Sequence, residues 1–177
     1  PLEDLWVRAR TFGFHFAALD VRQHSRVHES VTAELLKLAG VHDGYRSLSE
    51  ADRQELLQRE LRNPRPLLPP AASLSEEAAE LLATFHLIGK TLDDEPDAIG
   101  NYVISMTHTV SDVLEVMLLA KETGLLTEES GKLRGRIDIA PLFETIEDLA
   151  GSGAFMEALF ATPAYAEYLE SRNGFQE

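Results

Sequence analysis

Apolar residues recur every three to four positions over residues 25–39, where Val27, Val31, Leu35 and Leu38 share one face, and this spacing predicts an amphipathic helix. A second helix is predicted over 50–62. Ser49 holds its N-cap position, and Asp52 completes a capping-box-like spacing. A third, over 74–90, turns Leu81, Leu82, Phe85 and Ile88 inward. A fourth, over 110–123, opens on Thr109 and Asp112 and stops at Gly124. Two shorter helices are expected after Glu144, broken near Gly151–Gly153 and at Pro163, with Asn173-Gly174 closing the last. Three other segments are short, continuous apolar runs: Phe14 to Val21, Tyr102 to Met106 and Ile137 to Phe143. Each is followed by a helical pattern, as in the βα units of a parallel sheet or barrel.

The segment Asn63-Pro64-Arg65-Pro66-Leu67-Leu68-Pro69-Pro70 cannot be helix interior, because its prolines remove donors and fix φ. It reads as an extended connector and not as a domain boundary. Asp93 to Pro96 and Thr127 to Gly135 read as polar loops. The predicted class is α/β and helix-dominated, with about three parallel strands and six to seven helices. Three strands do not close a barrel, and a lone parallel sheet leaves its edges uncovered. The expectation is therefore a section of a larger α/β structure, and the opening Pro1, without an initiator Met, agrees with that.

Composition narrows the function classes. At 177 residues the chain suits one compact unit with a real core. The net charge of −14, from 16 basic and 30 acidic residues, argues against non-specific nucleic-acid binding and against an anionic membrane surface. No apolar run approaches a membrane span. With no Cys, disulfides and thiolate metal sites are excluded, and a cytoplasmic setting fits.

Chemistry in a parallel α/β protein gathers at the carboxyl ends of strands. Glu144 follows the third apolar run and can supply an oxygen to a hard divalent cation, or else stabilise a helix N-terminus. Glu147 and Asp148 read as dipole partners of that helix. Arg22, in Leu19-Asp20-Val21-Arg22-Gln23-His24, offers a planar fork for phosphate or carboxylate that Asp20 could orient, or forms an ion pair closing the strand end. His24 and His28 are spaced as a metal half-site but lack the intervening Glu of the zinc-protease pattern. Ser105 and His108 follow the second strand without a nucleophile elbow. Arg65, between two prolines, is either a stiffly presented cation or a surface residue.

Four blocks resemble one family, phosphoenolpyruvate carboxylase. They are Leu19-Asp20-Val21-Arg22-Gln23 with Ser25 and His28; Ser49-Glu50-Ala51-Asp52-Arg53 with Glu60-Leu61 and Arg65-Pro66-Leu67-Leu68; Tyr102-Val103-Ile104-Ser105-Met106 with Ser111-Asp112-Val113-Leu114; and Pro141-Leu142-Phe143-Glu144-Thr145 with Asp148-Leu149. They stand in the family's order across residues 13–149. His24 departs from it, since better-known members carry Glu there.

The resemblance implies a middle section of a parallel (β/α) barrel of a much larger enzyme. That enzyme carboxylates phosphoenolpyruvate with bicarbonate to oxaloacetate and phosphate, using Mg²⁺ or Mn²⁺. It also implies Glu144 as a metal ligand and catalytic residue, Arg22 as a catalytic and substrate-binding residue, and Arg65 as a barrel-region Arg of substrate-binding, regulatory or structural role. The family's second metal carboxylate would lie beyond Glu177, so the chain alone is expected to be inactive, and the parent to be an allosteric, cytoplasmic homotetramer. A stand-alone helical interaction module is the competing expectation, and a zinc enzyme using His24 and His28 a third.

Overall fold

The computed structural model describes residues 1–13, 17–70 and 72–177. Its elements are α1 (Leu2–Phe12), β1 (Leu19–His24), α2 (Ser25–Leu38), α3 (Glu50–Arg62), α4 (Glu76–Asp94), β2 (Ile99–Ser105), α5 (Val110–Glu122), β3 (Leu126–Glu129), β4 (Lys132–Gly135), β5 (Asp138–Pro141), α6 (Ile146–Ala161) and α7 (Pro163–Ser171), with one 3₁₀ turn at Tyr45–Ser47.

β1, β2 and β5 form a parallel sheet in the order β1-β2-β5, the helix-dominated α/β arrangement expected. The strand bounds move. Phe14 to Phe16 lie outside the described residues, and β1 instead runs on through Arg22, Gln23 and His24, which pair with Val103, Ile104 and Ser105. Backbone pairing with β2 carries these polar residues in extended form, which apolar runs cannot reveal. β2 begins earlier than expected, at Ile99. β5 stops at Pro141, so Glu144 stands three residues past the strand. Pro141 is tolerated there because β5 has a neighbour on one side only.

Alternation sorts the two faces of the sheet. Tyr102 and Ile139, in register, are both buried against the helices. Arg22, Val103 and Ala140, also in register with one another, lie on the opposite face.

The helical layer is organised by α5, in which every residue from Val110 to Ala120 is buried. Neighbours bond its polar members: Glu50 accepts from the Ser111 N–H and hydroxyl at 3.0 and 2.6 Å, and Tyr45 donates to Glu115 Oε1 at 2.7 Å, while Glu115 Oε2 is buried without a partner among the described residues. Local chemistry starts these helices where expected, with Ser49 accepting from Asp52 N and a complete Thr109/Asp112 capping box. The proline-rich connector is held by its backbone, the Leu67 N–H donating to Glu122 at 2.7 Å while the Leu67 side chain is buried.

Two expectations are corrected, and one helix is added. α6 runs unbroken through Gly151 and Gly153, which lie on its exposed side. A mid-helix glycine costs only about 1 kcal/mol, and the Thr145/Asp148 capping box secures the start. Residues 127–135 are a hairpin, not a loop: Ser130 and Gly131 both have positive φ, 53° and 79°, the two-residue turn that matches strand twist. α1 carries no buried residue and was not marked by the pattern read above.

Tyr168 of α7 locks hairpin and sheet together. Its hydroxyl donates to Ile137 O at 2.8 Å and accepts from Ile139 N at 2.9 Å, and its ring lies where a Cβ on Gly135 would stand. Gly135→Ala should therefore destabilise by about 1–3 kcal/mol, read as a lowered urea midpoint at unchanged slope. Burial pushes the Glu115 carboxyl well above its ordinary 4.5. With the folded value raised, its stabilising contribution is full below the unfolded pKa and is lost as pH rises. Glu115→Gln keeps an acceptor for Tyr45, so its urea midpoint should gain on the parent chain between pH 5 and pH 8.

Candidate functional site

The carboxyl ends of the three parallel strands converge on Glu144. Phe143, edge-on to Phe155 at 5.0 Å between ring centroids, anchors the segment leaving β5. Glu144 Oε1 accepts from Arg22 Nη2 at 2.5 Å, and Oε2 accepts from the Met106 backbone N–H at 2.9 Å. Met106 has φ 55°, a left-handed backbone at a non-glycine residue just past β2. Such a conformation costs about 1–2 kcal/mol and persists only where its surroundings hold it. Here the Ser25 hydroxyl, at the head of α2, donates to Met106 O at 2.7 Å. One residue thus ties the end of β1, through Ser25, to the carboxylate after β5.

The Glu144 side chain is 29% exposed and that of Arg22 56%, so the pair faces solvent and can exchange partners. Each Glu144 oxygen keeps a lone pair beyond its present donor. The carboxylate therefore fits one oxygen ligand of a hard divalent cation that draws its other ligands elsewhere. Among the described residues, no group of three or more His, Asp or Glu could hold a metal ion by itself.

The structure thus brings together two of the predicted residues, Arg22 and Glu144. Arg65 is elsewhere: its guanidinium donates to Ala39 O at 3.0 Å, just past the C-terminus of α2, about 20 Å along that helix from the end of β1. Asp20 does not orient Arg22, because it accepts from Asn101 N at 2.8 Å across the sheet. Ser105 donates to Gln23 O at 3.3 Å and has no histidine partner among the described residues.

The two-histidine half-site is also absent. His24 Nδ1 accepts from Arg26 N at 3.1 Å, capping α2, while His28 is fully buried with Nε2 on the Tyr102 hydroxyl at 2.8 Å. Burial, aided by nearby His24, lowers the His28 pKa to about 3 and keeps the ring neutral.

Sequence reasoning missed the pairing of His108 Nδ1 with Asp148 Oδ1 at 2.8 Å, which joins the turn after β2 to the first turn of α6. The His108 hydrogen bond holds the Asp148 carboxyl below its ordinary value. The only signal was positional, since both residues follow strand ends. Arg26 was missed as well. It lines a cleft of about 340 Å³ with His24, Ser25, Glu29, Arg53, His108, Thr109 and Asp112.

Parallel strands whose carboxyl ends gather a guanidinium, a carboxylate and a strained peptide define an α/β protein with its polar site in the place such folds use. The family model for phosphoenolpyruvate carboxylase matches residues 1–177. The phosphoenolpyruvate carboxylase of Rhodothermus marinus is 54% identical over 99% of this chain and 20% of its own length. That of Nocardia farcinica is 48% identical over 94% of the chain and 18% of its own, and that of Roseiflexus castenholzii 42% identical over 99% and 19%. The chain belongs to the phosphoenolpyruvate carboxylase family, and it spans about one fifth of the length of these relatives.

His28 supplies a test of the buried wall behind the site. Its folded pKa lies below the unfolded 6.5, so the stability it contributes is present above pH 6.5 and is lost as pH falls toward 3. Measured by urea unfolding, the parent chain should lose about 2 kcal/mol relative to His28→Gln between pH 7.5 and pH 5.

Proposed function

We propose that the chain is a barrel section of a phosphoenolpyruvate carboxylase, the protein that converts phosphoenolpyruvate and bicarbonate to oxaloacetate and phosphate. The observation that carries this reading is the Arg22–Glu144 pair at the strand ends, in a chain matched by the family model from end to end. Its short length relative to the family members supports a section and not a whole enzyme. In this reading the three strands are consecutive strands of a (β/α) barrel.

Glu144 provides one ligand to Mg²⁺ or Mn²⁺. A cation bound there would supply positive charge to offset that of two anionic reactants. Arg22 holds the phosphate. Its fork now rests on Glu144 Oε1, so phosphate binding exchanges one anionic partner for another and frees that oxygen. The Met106 N–H stays on Oε2 and keeps the carboxylate aimed while Arg22 moves. Arg65 ties the connector to the end of α2, a positioning role away from the reacting atoms. We further infer a homotetrameric, allosterically regulated parent in the cytoplasm, with no nucleic-acid or membrane partner. The acidic balance of the chain supports the lack of a nucleic-acid partner.

In the full-length protein, Glu144→Gln and Arg22→Gln should each lower kcat/KM at least about 100-fold, the scale of losing one charge-stabilising group. Oxaloacetate formation coupled to NADH oxidation reads this, with circular dichroism confirming the fold. The isolated 177-residue chain with Mg²⁺ should show no turnover, and robust turnover there would overturn the reading.

A further inference from the structure

The cleft beside Met106 has no part in the chemistry above. It opens between the first turns of α2 and α5, helices of 14 and 13 residues; Glu50 and Asp112 already cap the α5 start, and the positive end of the α2 dipole borders the cleft. Its acidic members are already engaged. Glu29 pairs with Arg53 at 2.8 Å, and Asp112 Oδ2 accepts from His108 N and Thr109 N at 2.8 and 2.9 Å.

The donors are freer. Among the described residues the Arg26 guanidinium has no hydrogen-bond or ion-pair partner, and the side chain is exposed. His24 Nδ1 accepts from Arg26 N, which fixes the tautomer of the neutral ring and leaves an Nε2–H to donate. Asp148 accepts from His108 Nδ1–H, so His108 Nε2 can donate to an anion only as the doubly protonated ring. Arg53 is held through Nη2 by Glu29 and Arg46 O, and among the described residues its buried Nε has no hydrogen-bond partner.

In a chain of net charge −14, this is a local concentration of unspent donors around a concavity. About 340 Å³ is at the small end of ligand sites, enough for a compact metabolite and too little for a nucleotide.

We propose that this cleft is an anion subsite, in which Arg26 and His24 grip a phosphate or carboxylate group of a small ligand at the N-terminus of α2, with His108 facing them across the cleft. It lies one residue from the Glu144 site: Ser25 lines the cleft and holds Met106 O, while Met106 N holds Glu144. An anion bound there acts on the strand-end carboxylate through Met106, without touching it.

The test is calorimetric titration of the full-length protein with inorganic phosphate and, separately, with succinate, for the parent sequence, Arg26→Gln and His108→Gln. Neither variant touches the core. The subsite predicts that at least one of the two anions binds the parent protein at a site that Arg26→Gln weakens tenfold or more and His108→Gln weakens several-fold. The anion that responds distinguishes phosphate from carboxylate as the group held. Unchanged binding of both anions in Arg26→Gln, or no binding to the parent beyond that lost in Arg22→Gln, overturns the proposal. Because the readout is binding, it stands or falls independently of carboxylase activity.

Discussion

Everything in this fold hangs on β2 having a parallel neighbour on each side. Its Val103 pairs with Arg22 of β1 and with Ala140 of β5, so one residue fixes the height of both flanking strands. Parallel pairing makes the three strands end together, and it forces the connections between them to cross over as helices. Those helices bury Tyr102, Ile104 and Ile139 on one face and leave the face of Arg22 clear of the helical layer. A slip of one residue would exchange the two faces, sending Arg22 into the core and Tyr102 out of it.

The polar site follows from that register. Arg22 and Glu144 lie 122 positions apart and meet because β1 and β5 flank the same strand. Between them stands Met106, whose backbone groups reach both ways. The helices contribute through their starts: α2 brings Ser25 and Arg26, α5 brings Asp112, and α6 brings Asp148, all into the same rim. Meanwhile α5, buried from Val110 to Ala120, fixes the depth at which those starts sit.

Local chemistry was legible in the sequence, and contact across the fold was less so. The starts of α3 and α5 could be read from Ser49/Asp52 and Thr109/Asp112 because a cap is settled within four residues. The hairpin was not, because Ser130-Gly131 lacks the usual Asn-Gly or Asp-Gly turn signal and its strands are mostly polar. The glycines of α6 overstated a break because capping and continuing backbone hydrogen bonds outweigh two modest propensity costs. Glu144 and Arg22 could be named from position and family resemblance, but not their pairing, and Asp20 was the nearer and mistaken partner for Arg22. His28 looked like a ligand by spacing. Only the fold shows it as a buried neutral ring on Tyr102.

Met106 makes the site depend on a torsion more than on a side chain. Its N–H and its C=O belong to two adjoining peptide planes hinged at one α-carbon, and one plane faces Glu144 while the other faces Ser25. Were φ to relax to the common negative region, both hydrogen bonds would be lost together. The residue is a single-joint coupling between the first helix of the sheet and the last carboxylate. What selection must preserve there is a backbone shape that many side chains could occupy, and comparison by residue type passes over it.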